Sequence, residues 1–96
     1  MELPTDLQAL REAIESTDRE ILRLLADRMA LVERIATAKI EAAWPFRDPS
    51  REDRLLVHLR QLATEQGLDP HEVERLYRVI LGMSVAHQQG FVRRLE

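Results

Sequence analysis

Apolar residues recur along the first half of the chain at alternating steps of three and four: Leu7, Leu10, Ile14, Thr17, Ile21, Leu24, Arg28, Leu31, Ile35, Ala38 and Ala42. That alternation is the heptad seam of a long helix, one stripe of which faces a partner. No Pro or Gly interrupts it, and the Leu, Ala, Arg and Glu that fill it are good helix formers. Thr5 and Asp6 offer an N-cap, and Pro45 drives Trp44 out of the α region, which sets the helix end near Ala43. About 36 residues at ~1.5 Å each make a rod of roughly 54 Å, whereas a compact globule of this chain length is roughly 32 Å across. A monomer would leave much of such a seam in water, so the pattern predicts that the helix pairs with a second copy of itself. An ordinary coiled coil accounts for every seam position except Arg28, where a charge is costly unless something pairs with it.

Two shorter helices follow. Trp44-Pro45-Phe46-Arg47 reads as a turn whose two aromatics pack over a helix end. Asp48-Pro49-Ser50-Arg51-Glu52-Asp53 is a helix start, with a capping Asp, Pro in the first turn, and acids beside the positive end of the helix dipole. Leu55, Leu56, Leu59 and Leu62 give this helix its buried face, and Gly67 is its expected C-cap. Asp69-Pro70-His71-Glu72 repeats the start signal with a capping-box Glu, and Val73, Leu76, Tyr77, Ile80, Met83, His87 and Phe91 carry a third helix towards the end. No period-two stretch and no larger repeat is present. The predicted fold is all-α, three helices with a very long first one, in a single domain covering residues 1–96.

Composition narrows the chemistry. A formal charge of −3 lacks the basic footprint that nucleic-acid binding requires. Without cysteine there is no disulfide, thiolate–zinc site or thiol nucleophile. The acidic start Met1-Glu2-Leu3-Pro4-Thr5-Asp6 does not resemble a secretion signal, and no apolar run approaches the ~20 residues of a membrane span. A cytoplasmic protein with neither membrane nor nucleic acid as partner is expected. His58, His71 and His87 are thirteen and sixteen residues apart, which is not metal-ligand spacing on a helix. Gly82-Met83-Ser84-Val85-Ala86 looks like a nucleophile elbow, but that motif needs a strand-to-helix turn and here falls within a helix. No metal and no cofactor is expected. Among thirteen Arg there is one Lys, Lys39, a compact point charge rather than a planar fork.

What remains is a set of cations and neutral donors set against apolar stripes. Arg28 and Lys39 are eleven residues apart; at ~100° per residue they point the same way, roughly 16 Å apart, which suits a small dianion held at each end. Arg51 and Glu52 occupy the first turn of the second helix, and Ser84 and Gln88 are i and i+4 on the stripe of the third. Each could be a structural feature, as in an Arg28–Glu52 ion pair or a Ser84 hydroxyl bonded to its own helix. Together they leave surplus positive charge in a core, which a ligand with two carboxylates would neutralise. Arg11 lies seventeen residues before Arg28, about 25 Å down the axis and ~100° around it. It cannot reach that ligand in its own chain, but in an antiparallel pair of long helices the partner's copy could.

Leu10-Arg11-Glu12-Ala13-Ile14, Asp18, Leu24-Leu25-Ala26-Asp27-Arg28, Lys39, Arg47-Asp48, Arg51-Glu52, Ser84 and Gln88-Gln89 together resemble an all-helical chorismate mutase. The form found at the front of prephenate dehydratase is the most similar, given Arg47-Asp48-Pro49 and Ser84-Val85-Ala86-His87-Gln88-Gln89. The resemblance implies an intertwined homodimer with two equivalent sites, turning chorismate into prephenate on the way to phenylalanine and tyrosine. It implies a pocket of Arg28, Lys39, Asp48, Arg51, Glu52, Ser84 and Gln88, completed by Arg11 of the other chain. The arginines would bind the carboxylates, with Lys39 at the enolpyruvyl side. Lys39 and Gln88 would contact the ether oxygen, and Glu52 with the backbone near Asp48 would hold the ring hydroxyl. Lys39, Gln88, Arg28 and Glu52 are the residues expected to carry the chemistry. A pericyclic rearrangement needs no nucleophile or metal, which agrees with the inventory. Two rival readings stand beside it: isochorismate pyruvate lyase, of the same fold, and a non-catalytic helical dimerisation module. The sequence leaves open whether the domain stands alone or fronts a longer enzyme.

Overall fold

The structure, a computed structural model, describes residues 6–45 and 48–96. Thr5 of the expected first cap, and Phe46 and Arg47 of the turn, lie outside the described residues. Three helices follow one another: α1 (Leu7–Ala42), α2 (Pro49–Glu65) and α3 (Pro70–Leu95). No strand occurs among the described residues.

Local chemistry explains each boundary. Asp6 starts α1, its Oδ1 accepting from the Ala9 N–H at 2.8 Å. At the other end Ala43 turns left-handed, at φ +56. That turn lets the Ala43 N–H reach the Ile40 carbonyl at 3.2 Å and the Trp44 N–H reach the Lys39 carbonyl at 2.9 Å. These are the paired bonds of a Schellman motif, with alanine where glycine is usual. Helix α2 closes the same way around Gly67 at φ +74, the Leu68 N–H reaching the Ala63 carbonyl at 2.8 Å. The cap residue itself is Gln66, one position before the expected Gly67, because the glycine supplies the left-handed turn just past the cap. Asp69 starts α3, its Oδ1 accepting from the N–H groups of His71 at 2.8 Å and Glu72 at 3.4 Å.

The chain divides into two compact units, Met1–Leu31 and Val32–Glu96. In the first, the described part of α1 exposes its apolar seam: Leu7, Leu10, Ile14, Ile21, Leu24 and Leu31 all stand open to solvent. In the second, α2 packs on α3, and Val32, Ala36, Leu56 and Ala63 are buried. The Arg60 guanidinium contacts the Glu74 carboxylate between α2 and α3.

The buried stripes differ from the expected ones by part of a turn. On α1, Val32 and Ala36 are buried while Leu31 and Ile35 of the seam are exposed; a one-residue offset is ~100° around the helix. The inward stripe therefore runs beside the seam and leaves the seam uncovered. On α2, Leu62 is exposed and Ala63 buried, because residue 63 returns to the side of Leu56 after seven positions and residue 62 falls about 120° away. On α3, Leu76 and Met83 are exposed, about 80–100° off the line through Ser84. Trp44 is 70% exposed, so it does not cover a helix end as expected.

Candidate active site

The centre of α3 carries the most informative pair. Among the described residues, Ser84 and Gln88 are the buried polar side chains, at 6% and 7% exposure. They sit in mid-line of the stripe Val73, Tyr77, Ile80 and Phe91, which is partly buried along its length. The i, i+4 spacing stacks them one above the other. The Ser84 hydroxyl donates to the Ile80 carbonyl at 2.9 Å, the bond to its own helix that its position allows. Gln88 is different. Its Oε1 is buried and has no hydrogen-bond partner among the described residues. Leaving such an oxygen unsatisfied costs about 1–3 kcal/mol, which an incoming polar group would recover. A half-turn about the terminal torsion exchanges the amide's oxygen and NH₂, so the same buried end offers either an acceptor or an N–H.

The start of α2 supplies a second group. Asp48 stands in extended conformation (φ −130, ψ 93) and its Oδ1 accepts from the Arg51 N–H at 3.1 Å. The Asp48 carbonyl accepts from the Glu52 N–H at 3.0 Å. Pro49 fixes this turn, so the cap holds Arg51 and Glu52 to the first turn of the helix. Arg51 is exposed and Glu52 half-buried. Lys39 lies in the last turn of α1. It is seven residues past Val32 and three past Ala36, hence on the stripe those two bury. Lys39, Asp48, Arg51, Glu52, Ser84 and Gln88 thus belong to the second unit, whereas Arg11, exposed, and Arg28, half-buried, belong to the first.

One cluster was not foreseen from the sequence. Glu33 Oε1 lies 3.2 Å from His87 Nε2 and 3.5 Å from Arg94 Nη2. His87 fits the apolar stripe of α3 by spacing, and nothing local to either segment announces its partner on α1. Among the described residues no group of three His, Asp or Glu side chains gathers as a metal site. No helix among them is long and apolar enough to cross a membrane.

Residues 10–89 match the family described as chorismate mutase type II. The chain belongs to the type II chorismate mutase family. Within it, the chain is 39% identical over 88 residues to the bifunctional chorismate mutase/prephenate dehydratase of Escherichia coli (strain K12), covering 92% of this chain and 23% of that protein. The corresponding bifunctional protein of Enterobacter agglomerans is 38% identical over the same shares. The chain therefore spans 23% of the length of these relatives. It is also 26% identical over 90 residues to the chorismate mutase of Methanocaldococcus jannaschii, covering 94% of this chain and 91% of that protein. Among solved structures, chorismate mutase (form II) from Thermus thermophilus superposes with a TM-score of 0.80 at 31% identity, over 86% of this chain and 93% of that one. All eight residues expected at the site fall inside the span matched to the family.

Proposed function

We propose that this chain converts chorismate to prephenate, in the cytoplasm, on the route to phenylalanine and tyrosine. It does so as one domain over residues 1–96 and as a homodimer in which each site takes Arg11 from the other chain. The observation that carries the reading is the buried Gln88 amide with its unsatisfied oxygen, in the middle of the α3 stripe of a type II chorismate mutase. The exposed apolar seam of α1 supports the dimer, since Leu7, Ile14, Ile21 and Leu24 find no cover among the described residues.

The rearrangement breaks one C–O bond and forms one C–C bond with no nucleophile. Binding must therefore fold a flexible dicarboxylate until its reacting carbons meet. Arg11 of the partner, Arg28 and Arg51 clamp the carboxylates, a task suited to planar forks. Lys39 and the Gln88 N–H face the ether oxygen, where negative charge grows as the bond breaks. Glu52 and the backbone of Asp48 hold the ring hydroxyl, and Ser84 lines the pocket beside Gln88. No cofactor takes part.

The test is loss of the ultraviolet absorbance of chorismate with purified protein, followed by acid conversion of the product to phenylpyruvate. Chorismate consumed and phenylpyruvate formed is the expected result. Release of pyruvate from isochorismate without mutase turnover would instead assign the lyase reaction. Inertness towards both would leave a helical dimerisation module.

A further inference from the structure

Glu33 and His87 stand outside the expected site, yet they meet. His87 Nε2 is 3.2 Å from Glu33 Oε1, and the two side chains are 34% and 35% exposed, so the contact sits at the rim of the core. Arg94 Nη2 approaches the same carboxylate oxygen at 3.5 Å. His87 and Arg94 are seven residues apart on α3, which places both on one side of that helix. Glu33 follows the buried Val32 and precedes the buried Ala36 by three. Among the described residues the backbones of α2 and α3 come close, whereas those of α1 and α3 do not, so long side chains such as these span the distance from α1 to α3.

The position of the contact gives it meaning. His87 immediately precedes Gln88, and Glu33 lies six residues before Lys39. We infer that Glu33 and His87 form a clamp that sets the distance between Gln88 and Lys39, and so positions both donors at the breaking bond. This role rests on the mutase activity proposed above. Neither residue touches substrate; both act through their neighbours. A donor pair stabilises growing charge only if it is already in place when the bond breaks, so looseness between α1 and α3 is felt in the chemical step. A proton on His87 Nε2 is donated to the Glu33 carboxylate oxygen. Arg94 adds to the grip, but its side chain is 63% exposed and the pair is screened by water.

Steady-state kinetics on the full chain test the clamp. Glu33→Ala and His87→Ala should each lower kcat roughly fivefold at saturating chorismate while KM stays within about twofold. The double variant should lose no more than the worse single one, because each single variant already breaks the Glu33–His87 contact. Glu33→Gln keeps an acceptor for His87 and should recover most of kcat. Glu74→Ala serves as the comparison, since it breaks the Arg60 contact between α2 and α3 and should cost stability while leaving kcat as in the parent. If Glu33→Ala does not fold, His87→Ala still reads the Glu33–His87 contact, and it leaves Glu33 its Arg94 partner. Parental kcat in both alanine variants overturns the clamp and leaves the mutase reading intact. So does a Glu74→Ala variant that loses kcat equally, or a double variant whose losses multiply. A parent chain without mutase activity overturns both.

Discussion

A glutamine amide always has an N–H to offer, whereas a glutamate can donate only when protonated. With Gln88 at the breaking bond, the native site needs no titrating donor there, and its rate should be nearly flat from mildly acid to neutral pH. Gln88→Glu keeps the size and removes the permanent donor. At 7% exposure the new carboxyl would be raised above its ordinary pKa by burial. Its protonated, donating form then prevails in acid and gives way to a repelling carboxylate as pH rises. The variant should work in acid and fade towards neutrality in a profile of kcat/KM from about pH 4.5 to 8, with folding checked at each end. A profile that tracks the parent at every pH would remove Gln88 from the reaction centre. The burial of this residue was legible in the sequence, because polar residues at i and i+4 on an apolar stripe must go inward with it. The Ser84 bond to Ile80 was legible too, as the ordinary fate of a helical serine. The Glu33–His87 contact was not, since it depends on the register between two helices that no local pattern encodes.

At the scale of the elements, the starts of the helices were written in single residues. Asp6, Asp48 and Asp69 each accept a backbone N–H at a helix start, and Pro45 accounts for the end of α1. Stripe facing was harder to read. Helix α1 carries apolar residues on two adjacent stripes, Leu31 and Ile35 on one and Val32 and Ala36 on the other. Spacing alone finds both, and only packing decides which goes inward. The left-handed Ala43 was equally hidden, since alanine does not advertise that conformation. It costs about 1 kcal/mol or more in a residue bearing a Cβ. Ala43→Gly relieves that cost while loosening the unfolded chain, so its stability should match the parent or exceed it by up to about 1 kcal/mol. Ala43→Val, with a branched Cβ in the same turn, should lose more than about 1 kcal/mol. Denaturant midpoints at equal protein concentration read both, and a valine variant as stable as the parent would mean that the Ala43 turn does not persist in solution.

For the whole molecule, the exposed apolar seam of α1 is what supports the proposed homodimer, and the proposed site takes a residue from each chain. The most direct measurement is complementation between two variants damaged on opposite sides of that site. Arg11→Ala lacks the residue that the proposal has a chain give to its partner, and Lys39→Ala lacks one that it has the chain keep. Each homodimer should be inactive. A refolded equal mixture should regain about a quarter of parental activity, because random pairing makes about half the dimers mixed and each mixed dimer holds one intact site of two. A mixture that stays inactive, although mixed dimers form by mass, would contradict the shared site and the antiparallel pairing of the long helices.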